Sequence, residues 1–149
     1  TPNCQFKTII PSTYVPARNI IFLTFALSYT EATDADTIFI GANAIDYSGY
    51  PDCRPAFFKA FREIIKTGTK AGAGAKGQGR RIKVKAPLLY KSKGEIVKLA
   101  KRLKVPLKLT WSCYKGGRRP CGICDSCILR VKGFKEAGIK DPLYGGKNN

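Results

Sequence analysis

The residues best suited to chemistry are four cysteines that lie close together in the sequence. Cys121, Cys124 and Cys127 form a C-x2-C-x2-C run, and Cys113 precedes this run within the stretch CYKGGRRPCGICDSC. Disulfide bonds among them would need an oxidising compartment, and nothing in the sequence signals secretion. The spacing favours a metal site instead, because a tight turn between Cys121 and Cys124 lets two thiolates reach one ion. Cys127 is expected at the start of the last helix, whose dipole stabilises a thiolate, and Cys113 is expected to join the site from the end of a preceding strand.

The expected ion is zinc. Zn²⁺ prefers a closed tetrahedron of four thiolates, which leaves no position for water and therefore gives the ion a structural role. An iron–sulfur cluster is the main alternative, because C-x2-C-x2-C also opens ferredoxin motifs, but no C-x3-C-P continuation follows Cys127. Reduced structural thiols without a metal are a third interpretation.

Two polar loops are further candidates for a binding site. One is STYVPARN, from Ser12 to Asn19, which enters the first predicted helix, and the other is DYSGYPDCR, from Asp46 to Arg54, which follows the first predicted strand. Open α/β sheets bind ligands at loops that follow the carboxyl ends of strands. Taken alone, each loop is better explained by turns that Pro and Gly shape and by tyrosines that pack on the core.

The composition is that of an ordinary globular protein with an unusual charge. The chain has 149 residues, and 27 basic against 10 acidic residues give a formal charge of +17. Such a charge is typical of proteins that bind nucleic acid, but it also suits an acidic ligand such as a nucleotide, and the basic residues form no single stripe. The longest apolar run is too short to span a bilayer, so we expect a cytoplasmic protein without membrane contact.

The apolar periodicity predicts helices over 16–30, 55–68, 92–104 and 125–137, and strands over 37–41 and 81–85. The first helix is apolar on nearly every side and is expected to be mostly buried, as is the first strand. Asp52 is expected to cap the second helix, and Ser92 with Glu95 forms a capping box that opens the third. The glycine-rich stretch 67–79 is expected to be a mobile, solvated loop.

Two strands are too few for a complete α/β sheet, whose usual size is about five or six strands. The sequence also begins at Thr1 and contains no Met. We therefore expect part of a longer protein, with an incomplete α/β substrate-binding portion over residues 1–110 and a zinc-binding lobe over residues 111–149.

Four segments, in this order, resemble the QueC family, the 7-cyano-7-deazaguanine synthases of queuosine and archaeosine biosynthesis. They are YVPARN (14–19), DYSGYPDCR (46–54), the APLL-x-x-SK-x-EIV segment (86–97) and the four cysteines. The resemblance extends from about Thr13 to Tyr144. DYSGYPDCR together with the cysteine spacing is its most specific part.

The resemblance implies an α/β fold like that of the adenine-nucleotide α-hydrolases, a PP-loop or Rossmann-like three-layer fold, with a C-terminal Cys4 zinc lobe. It implies an ATP-dependent carbon–nitrogen ligase that converts 7-carboxy-7-deazaguanine and ammonia into the 7-cyano nitrile. ATP activates the carboxylate, an amide forms, and a second activation allows dehydration. Zn²⁺ held by Cys113, Cys121, Cys124 and Cys127 and a homodimer are further implications.

The resemblance also implies that substrate residues lie in the two loops. The candidates are Tyr14, Arg18, Asn19, Asp46, Tyr47, Ser48, Tyr50, Asp52 and Arg54. Tyrosine rings suit stacking on a planar deazaguanine, carboxylates can accept hydrogen bonds from its edge, and an arginine fork matches a carboxylate or phosphate. For Cys53, a packing role is favoured over a nucleophilic one, because an adenylate already activates the substrate.

The sequence departs from the family pattern in one respect, since it contains no S-G-G-x-D-S phosphate loop. The chain therefore looks like the C-terminal portion of the enzyme and is not expected to act alone. A different function is a basic zinc-ribbon module that binds RNA, which the charge and the neighbouring residues Trp111, Tyr114, Lys115, Arg118 and Arg119 favour. That alternative does not account for DYSGYPDCR, whose acidic residues repel phosphates, so nucleic acid is not the expected partner. A third interpretation is a lobe that works with a separately encoded phosphate-loop partner.

Overall fold

A computed structural model describes residues 14–44, 50–73 and 81–144 of the chain, which divides into two compact units after Tyr90. The first unit holds helices α1 (Arg18–Ala32), α2 (Pro55–Gly68) and α3 (Lys70–Ala73) and strands β1 (Thr37–Phe39) and β2 (Lys83–Lys85). The second unit holds helices α4 (Lys93–Arg102) and α5 (Asp125–Ala137). Short 3-10 turns lie at Pro51–Cys53 and Leu107–Leu109.

The two strands of the first unit run parallel, which confirms a mixed α/β class. Ile38 of β1 lies opposite Val84 of β2, and both side chains are buried. They belong to one core with residues of both long helices, namely Leu23, Leu27, Phe58, Phe61 and Ile65. Because side chains alternate across a strand, α1 and α2 therefore cover the same face of the strand pair.

Within the described residues of the first unit, no helix covers the opposite face of the strand pair. Phe39 is 66% exposed there, with the Lys85 ammonium 5.4 Å from the centre of its ring. The prediction that the first strand is fully buried is therefore wrong. Its apolar composition did not reveal that the described helices of the first unit pack on one side only.

Helix α1 also differs from the expectation that most of its surface is buried. Its buried residues are Asn19, Leu23, Leu27 and Thr30, which form one stripe at helical spacing. The side chains of Phe25 and Tyr29 are 74% and 71% exposed. The helix boundaries were predicted well, but the composition of α1 did not show which face is covered.

Helix α3 occupies part of the predicted glycine-rich loop. The Thr69 hydroxyl accepts a hydrogen bond from the Gly72 N–H at 2.9 Å, and the Glu31 carboxylate accepts one from the Ala71 N–H at 2.8 Å. These two acceptors satisfy N–H groups that the first turn of a helix leaves free. The expectation of a mobile loop is wrong for Lys70–Ala73, and residues 74–80 of the loop lie outside the described residues.

Helix α4 begins with the predicted capping box. The Glu95 N–H donates to the Ser92 hydroxyl at 3.2 Å, and the Ser92 N–H donates to the Glu95 carboxylate at 2.7 Å. The helix packs against α5 in the second unit, so the compact units divide earlier than the predicted boundary between residues 110 and 111. The functional division at that boundary stays a prediction.

Glycines allow α4 and α5 to approach closely. A Cβ atom on Gly133 would lie 2.6 Å from the Lys93 Cβ, and one on Gly94 would lie 2.8 Å from the Glu136 Cβ. Both distances are too short for carbon atoms in contact, so the helix pair tolerates only hydrogen at these two positions. Among the described residues, no helix is long and apolar enough to cross a membrane.

Candidate metal centre and predicted substrate residues

The second unit brings the sulfur atoms of Cys113, Cys121, Cys124 and Cys127 within 4.8 Å of one another. The Cys121 and Cys127 sulfurs are 3.9 Å apart. In a tetrahedral zinc site with Zn–S bonds of about 2.3 Å, the sulfurs are about 3.8 Å apart. The donor set and its spacing therefore fit one tetrahedral, thiolate-bound ion, as the sequence predicted.

Backbone N–H groups point at the sulfurs of the cluster. The Cys113 sulfur accepts hydrogen bonds from the N–H groups of Lys115 and Cys121, and the Cys121 sulfur accepts one from Cys124, all at 3.4 Å. Gly122 adopts a φ of +75°, a left-handed conformation that glycine reaches without strain. The tight turn predicted between Cys121 and Cys124 is therefore confirmed.

The four ligands come from different local structures. Cys113 lies in an irregular segment after the 3-10 turn Leu107–Leu109, and not at the end of a strand as expected. Cys124 is the N-cap of α5, and Cys127 lies in the first turn of that helix with none of its surface exposed. The start of a helix thus carries two of the four thiols.

The surroundings shift the pKa values of these thiols in opposite directions. The Tyr114 backbone N–H, followed by that of Cys127, lowers the pKa of Cys124 to about 6. The Cys121 backbone N–H is the main cause of a lowered pKa at Cys113. Burial raises the pKa of Cys127, although the sequence suggested that the helix start would favour its thiolate. A bound cation would offset this burial penalty, because metal binding keeps thiolates deprotonated.

Two aromatic residues support the ligand-bearing segments. The Trp111 indole N–H donates to the Cys113 carbonyl at 2.8 Å. Tyr144 hydrogen-bonds with Cys127, and burial followed by this contact raises the pKa of its phenol. The tyrosine hydroxyl therefore remains protonated and able to donate to the sulfur.

A buried ion pair lies between α5 and the residues that flank the four cysteines in the sequence. The Arg130 guanidinium donates to both Asp141 carboxylate oxygens, at 2.6 Å and 2.9 Å, and both side chains are 6% exposed. The same guanidinium donates to the Thr110 carbonyl at 3.1 Å and hydroxyl at 3.0 Å. Sequence reasoning missed this cluster, although Arg130 lies one helical turn from both Cys127 and Phe134 on the buried face of α5.

In the first unit, the two predicted substrate loops meet through Asn19 and Asp52. The backbone N–H of Asn19 donates to the Asp52 carboxylate at 3.0 Å, and the side-chain amide of Asn19 donates to the backbone carbonyl of Asp52 at 3.1 Å. Both residues are buried. Asp52 therefore caps the start of α1, and the prediction that it caps α2 is wrong, since Arg54 is the N-cap of that helix.

The other predicted substrate residues have different surroundings. Tyr14 and Tyr50 lie with ring centres 5.7 Å apart, and the Tyr14 hydroxyl accepts a hydrogen bond from the Ala17 N–H at 3.3 Å. Arg18 is half-buried and Arg54 is exposed. Asp46, Tyr47 and Ser48 lie outside the described residues.

Cys53 has the surroundings of a packing residue. Its side chain belongs to the hydrophobic core of the first unit, and its sulfur accepts a hydrogen bond from the Asn19 amide at 3.2 Å. Burial removes the thiol from solvent and from any ligand approaching over the surface. These contacts favour the packing interpretation of Cys53.

Comparison with known proteins agrees with the resemblance in the sequence. Residues 3–138 match the model of the family described as "Queuosine biosynthesis protein QueC". The 7-cyano-7-deazaguanine synthase of Acetivibrio thermocellus is 58% identical over 142 residues, covering 95% of this chain and 62% of that protein. The synthase of Desulfitobacterium hafniense is 59% identical over 134 residues, which cover 90% of this chain and 56% of the relative. That of Picrophilus torridus is 57% identical over 145 residues, which cover 95% and 59%.

The family model matches most of the chain, and the chain therefore belongs to the QueC family of queuosine biosynthesis proteins. It spans 56% to 62% of the length of these three curated relatives.

Proposed function

We propose that the chain forms the zinc-binding and substrate-binding part of a 7-cyano-7-deazaguanine synthase. The reaction joins 7-carboxy-7-deazaguanine and ammonia at the expense of ATP. A first ATP adenylates the carboxylate with release of pyrophosphate, and ammonia displaces AMP to give the amide. A second ATP adenylates the amide oxygen, which then leaves with AMP while the nitrogen loses its protons and the nitrile forms. The proposal includes the three-layer fold of the adenine-nucleotide α-hydrolases, a homodimer and a cytoplasmic location.

One observation carries the proposal. Four cysteine sulfurs that the sequence spacing predicts as metal ligands converge within 4.8 Å, in a chain whose residues 3–138 match the family. The ion that suits this set best is Zn²⁺, because four thiolates in a tetrahedron are its usual structural site. With no open position for water, zinc would hold the ligand-bearing segments together and take no part in bond making.

The first unit supports a division of roles among the predicted substrate residues. Asn19 and Asp52 satisfy each other's polar groups in the interior, so their role is to hold the two loops together. The Tyr14 and Tyr50 rings, which lie side by side, are placed to stack on a planar base. Arg18 and Arg54 are accessible cations that suit the substrate carboxylate or a phosphate. Substrate contacts for Asp46, Tyr47 and Ser48 are part of the same proposal.

A single-polypeptide chimera tests the proposal. In it, this chain replaces the matching segment of the Acetivibrio thermocellus relative, and mass spectrometry follows the 7-cyano product. We expect product only when 7-carboxy-7-deazaguanine, ammonium and ATP are all present. Arg54→Ala should raise the KM for the carboxylate or for ATP by about tenfold or more, the value of one lost charge-assisted hydrogen bond. A folded, zinc-loaded chimera that makes neither amide nor nitrile would exclude the proposed activity.

The RNA-binding alternative makes a separate prediction. Trp111 and Tyr114 are partly exposed beside the metal site, as a stacking surface requires. Trp111 is the sole tryptophan, so stacking of a base on its ring would quench the fluorescence of the chain. Salt-sensitive quenching by a single-stranded oligonucleotide, with no synthase activity in the chimera, would favour RNA binding over the proposed synthase.

A further inference from the structure

Helix α1 carries a second apolar stripe in addition to the one that faces the core. Successive residues of an α-helix are about 100° apart, so four of its exposed apolar side chains lie within an arc of about 100°. These side chains are Ile21, Phe22, Phe25 and Tyr29. The buried stripe, which contains Leu23 and Leu27, lies on a different side. A helix that is apolar on two sides is typical of a helix buried on both.

The strand pair beside α1 is incomplete in the same way. Parallel sheets are normally covered on both faces, yet the described part of the first unit has helices on the Ile38 face only. Phe39 remains exposed on the other face. Within the described residues β1 pairs with β2 alone, so the far edge of β1 has no strand beside it. Helix α1 packs against β1, so the helix with the second stripe neighbours the strand with the open edge.

We propose that the α1 stripe, the β1 edge and Phe39 form a docking surface for the further polypeptide that the curated relatives contain. These relatives are longer than their match to this chain, which covers 62% of the Acetivibrio thermocellus protein. The added polypeptide supplies a parallel strand beside β1 and apolar side chains over Phe22, Phe25 and Tyr29. The inference rests on the proposed function for the identity of this occupant.

Charge argues against a second copy of the chain as the occupant. The chain carries a formal charge of +17, and Lys83 and Lys85 are exposed on the open face beside Phe39. Two copies docked through this surface would bring like charges together, which opposes association. A segment with apolar side chains and a less basic surface fits better.

Assembly of two co-expressed polypeptides tests the docking surface. One is this chain with an affinity tag, and the other is the part of the Acetivibrio thermocellus relative outside its match, so that neither has to fold alone. We expect a one-to-one complex on purification, without nucleotide or substrate, and slowed amide hydrogen exchange in α1 and β1. The double variant Phe25→Lys/Tyr29→Lys should weaken the association by about 100-fold or more, as expected for central apolar contacts.

A matched control carries the same charge change elsewhere. Leu109→Lys/Ile128→Lys replaces two exposed apolar residues of the second unit and should assemble like the unchanged chain. The inference fails if no complex forms, if the α1 double variant assembles normally, or if the chain alone forms a dimer that the double variant disrupts. A complex that forms as expected but makes no nitrile would refute the proposed function and leave the docking surface standing.

Discussion

At the scale of residues, Asp52 shows how a polar side chain in a predicted binding loop can instead stabilise the fold. The sequence places it in a substrate-like loop, whereas the fold uses its carboxylate to accept from the Asn19 N–H at the start of α1. A negative charge there is also favoured by the helix dipole. Asn19 lies far from Asp52 along the chain, so no local pattern could have predicted this pairing.

Asp52→Ala should therefore destabilise the first unit even without any ligand. The substitution leaves the buried Asn19 N–H without its acceptor, at a cost of about 1–3 kcal/mol. Urea denaturation followed by circular dichroism measures the loss. Asp36→Ala removes an exposed carboxylate and should change stability by less than about 0.5 kcal/mol. Equal effects of the two substitutions would contradict the capping role.

Cys127 and Cys53 are both buried thiols, but only Cys127 belongs to the sulfur cluster. Cys127→Ser should reduce the zinc content from about one ion per chain to nearly none, because serine is a poor ligand for zinc. Cys53→Ser should retain the full zinc content. Atomic emission of the purified proteins measures both, and zinc retained by the Cys127 variant would remove it from the ligand set.

At the scale of elements, the close packing of α4 against α5 depends on two glycines that have no side chain. The sequence predicted both helices and the capping box correctly, because these depend on local signals such as Ser92 and Glu95. It could not predict that Gly94 and Gly133 face the partner helix, because close packing depends on residues distant in the chain. The covered faces of α1 and β1 were missed for the same reason.

Gly133→Ala should distinguish the effect of close helix packing on stability from the effect of helix propensity. The added methyl group would lie 2.6 Å from the Lys93 Cβ, so we expect a destabilisation of about 1–3 kcal/mol despite the better propensity of alanine. At Gly68, a Cβ would meet its nearest neighbour at 4.0 Å. Gly68→Ala should therefore be neutral or stabilising by up to about 1 kcal/mol. Thermal unfolding compares the two, and a stable Gly133 variant would show that α4 and α5 are less closely packed.

At the scale of the whole molecule, the division into two units separates two kinds of stabilisation. The first unit has a hydrophobic core of aliphatic and aromatic side chains, whereas the second places its four thiols beside few buried apolar residues. Small units of the second kind commonly depend on a metal for their stability. The sequence predicted the cluster of four thiols from cysteine spacing alone. The Arg130–Asp141 pair escaped notice, because α5 and the segment after it meet only in the fold.

Chelation should therefore affect the two units differently. Trp111 lies in the second unit and is the sole tryptophan, so its fluorescence reports on that unit. Removing zinc should lower the midpoint of the fluorescence transition by about 10 °C or more, because a small unit that loses several kcal/mol of unfolding free energy shows a shift of that size. Much of the helical circular dichroism should survive, since α1 and α2 belong to the first unit. A common transition that shifts as a whole would show that the units unfold together.

The Arg130–Asp141 pair has a consequence for how readily the cluster of thiols can take up an ion again after losing one. By joining Thr110 to Asp141, it ties together the ends of a loop that contains all four thiols. The sulfurs then stay at high local concentration when the site is empty, and less entropy is lost when they gather again. Rebinding of the metal after its transient removal should thus be fast, because the guanidinium keeps the two ends of the loop joined while the ion is exchanged.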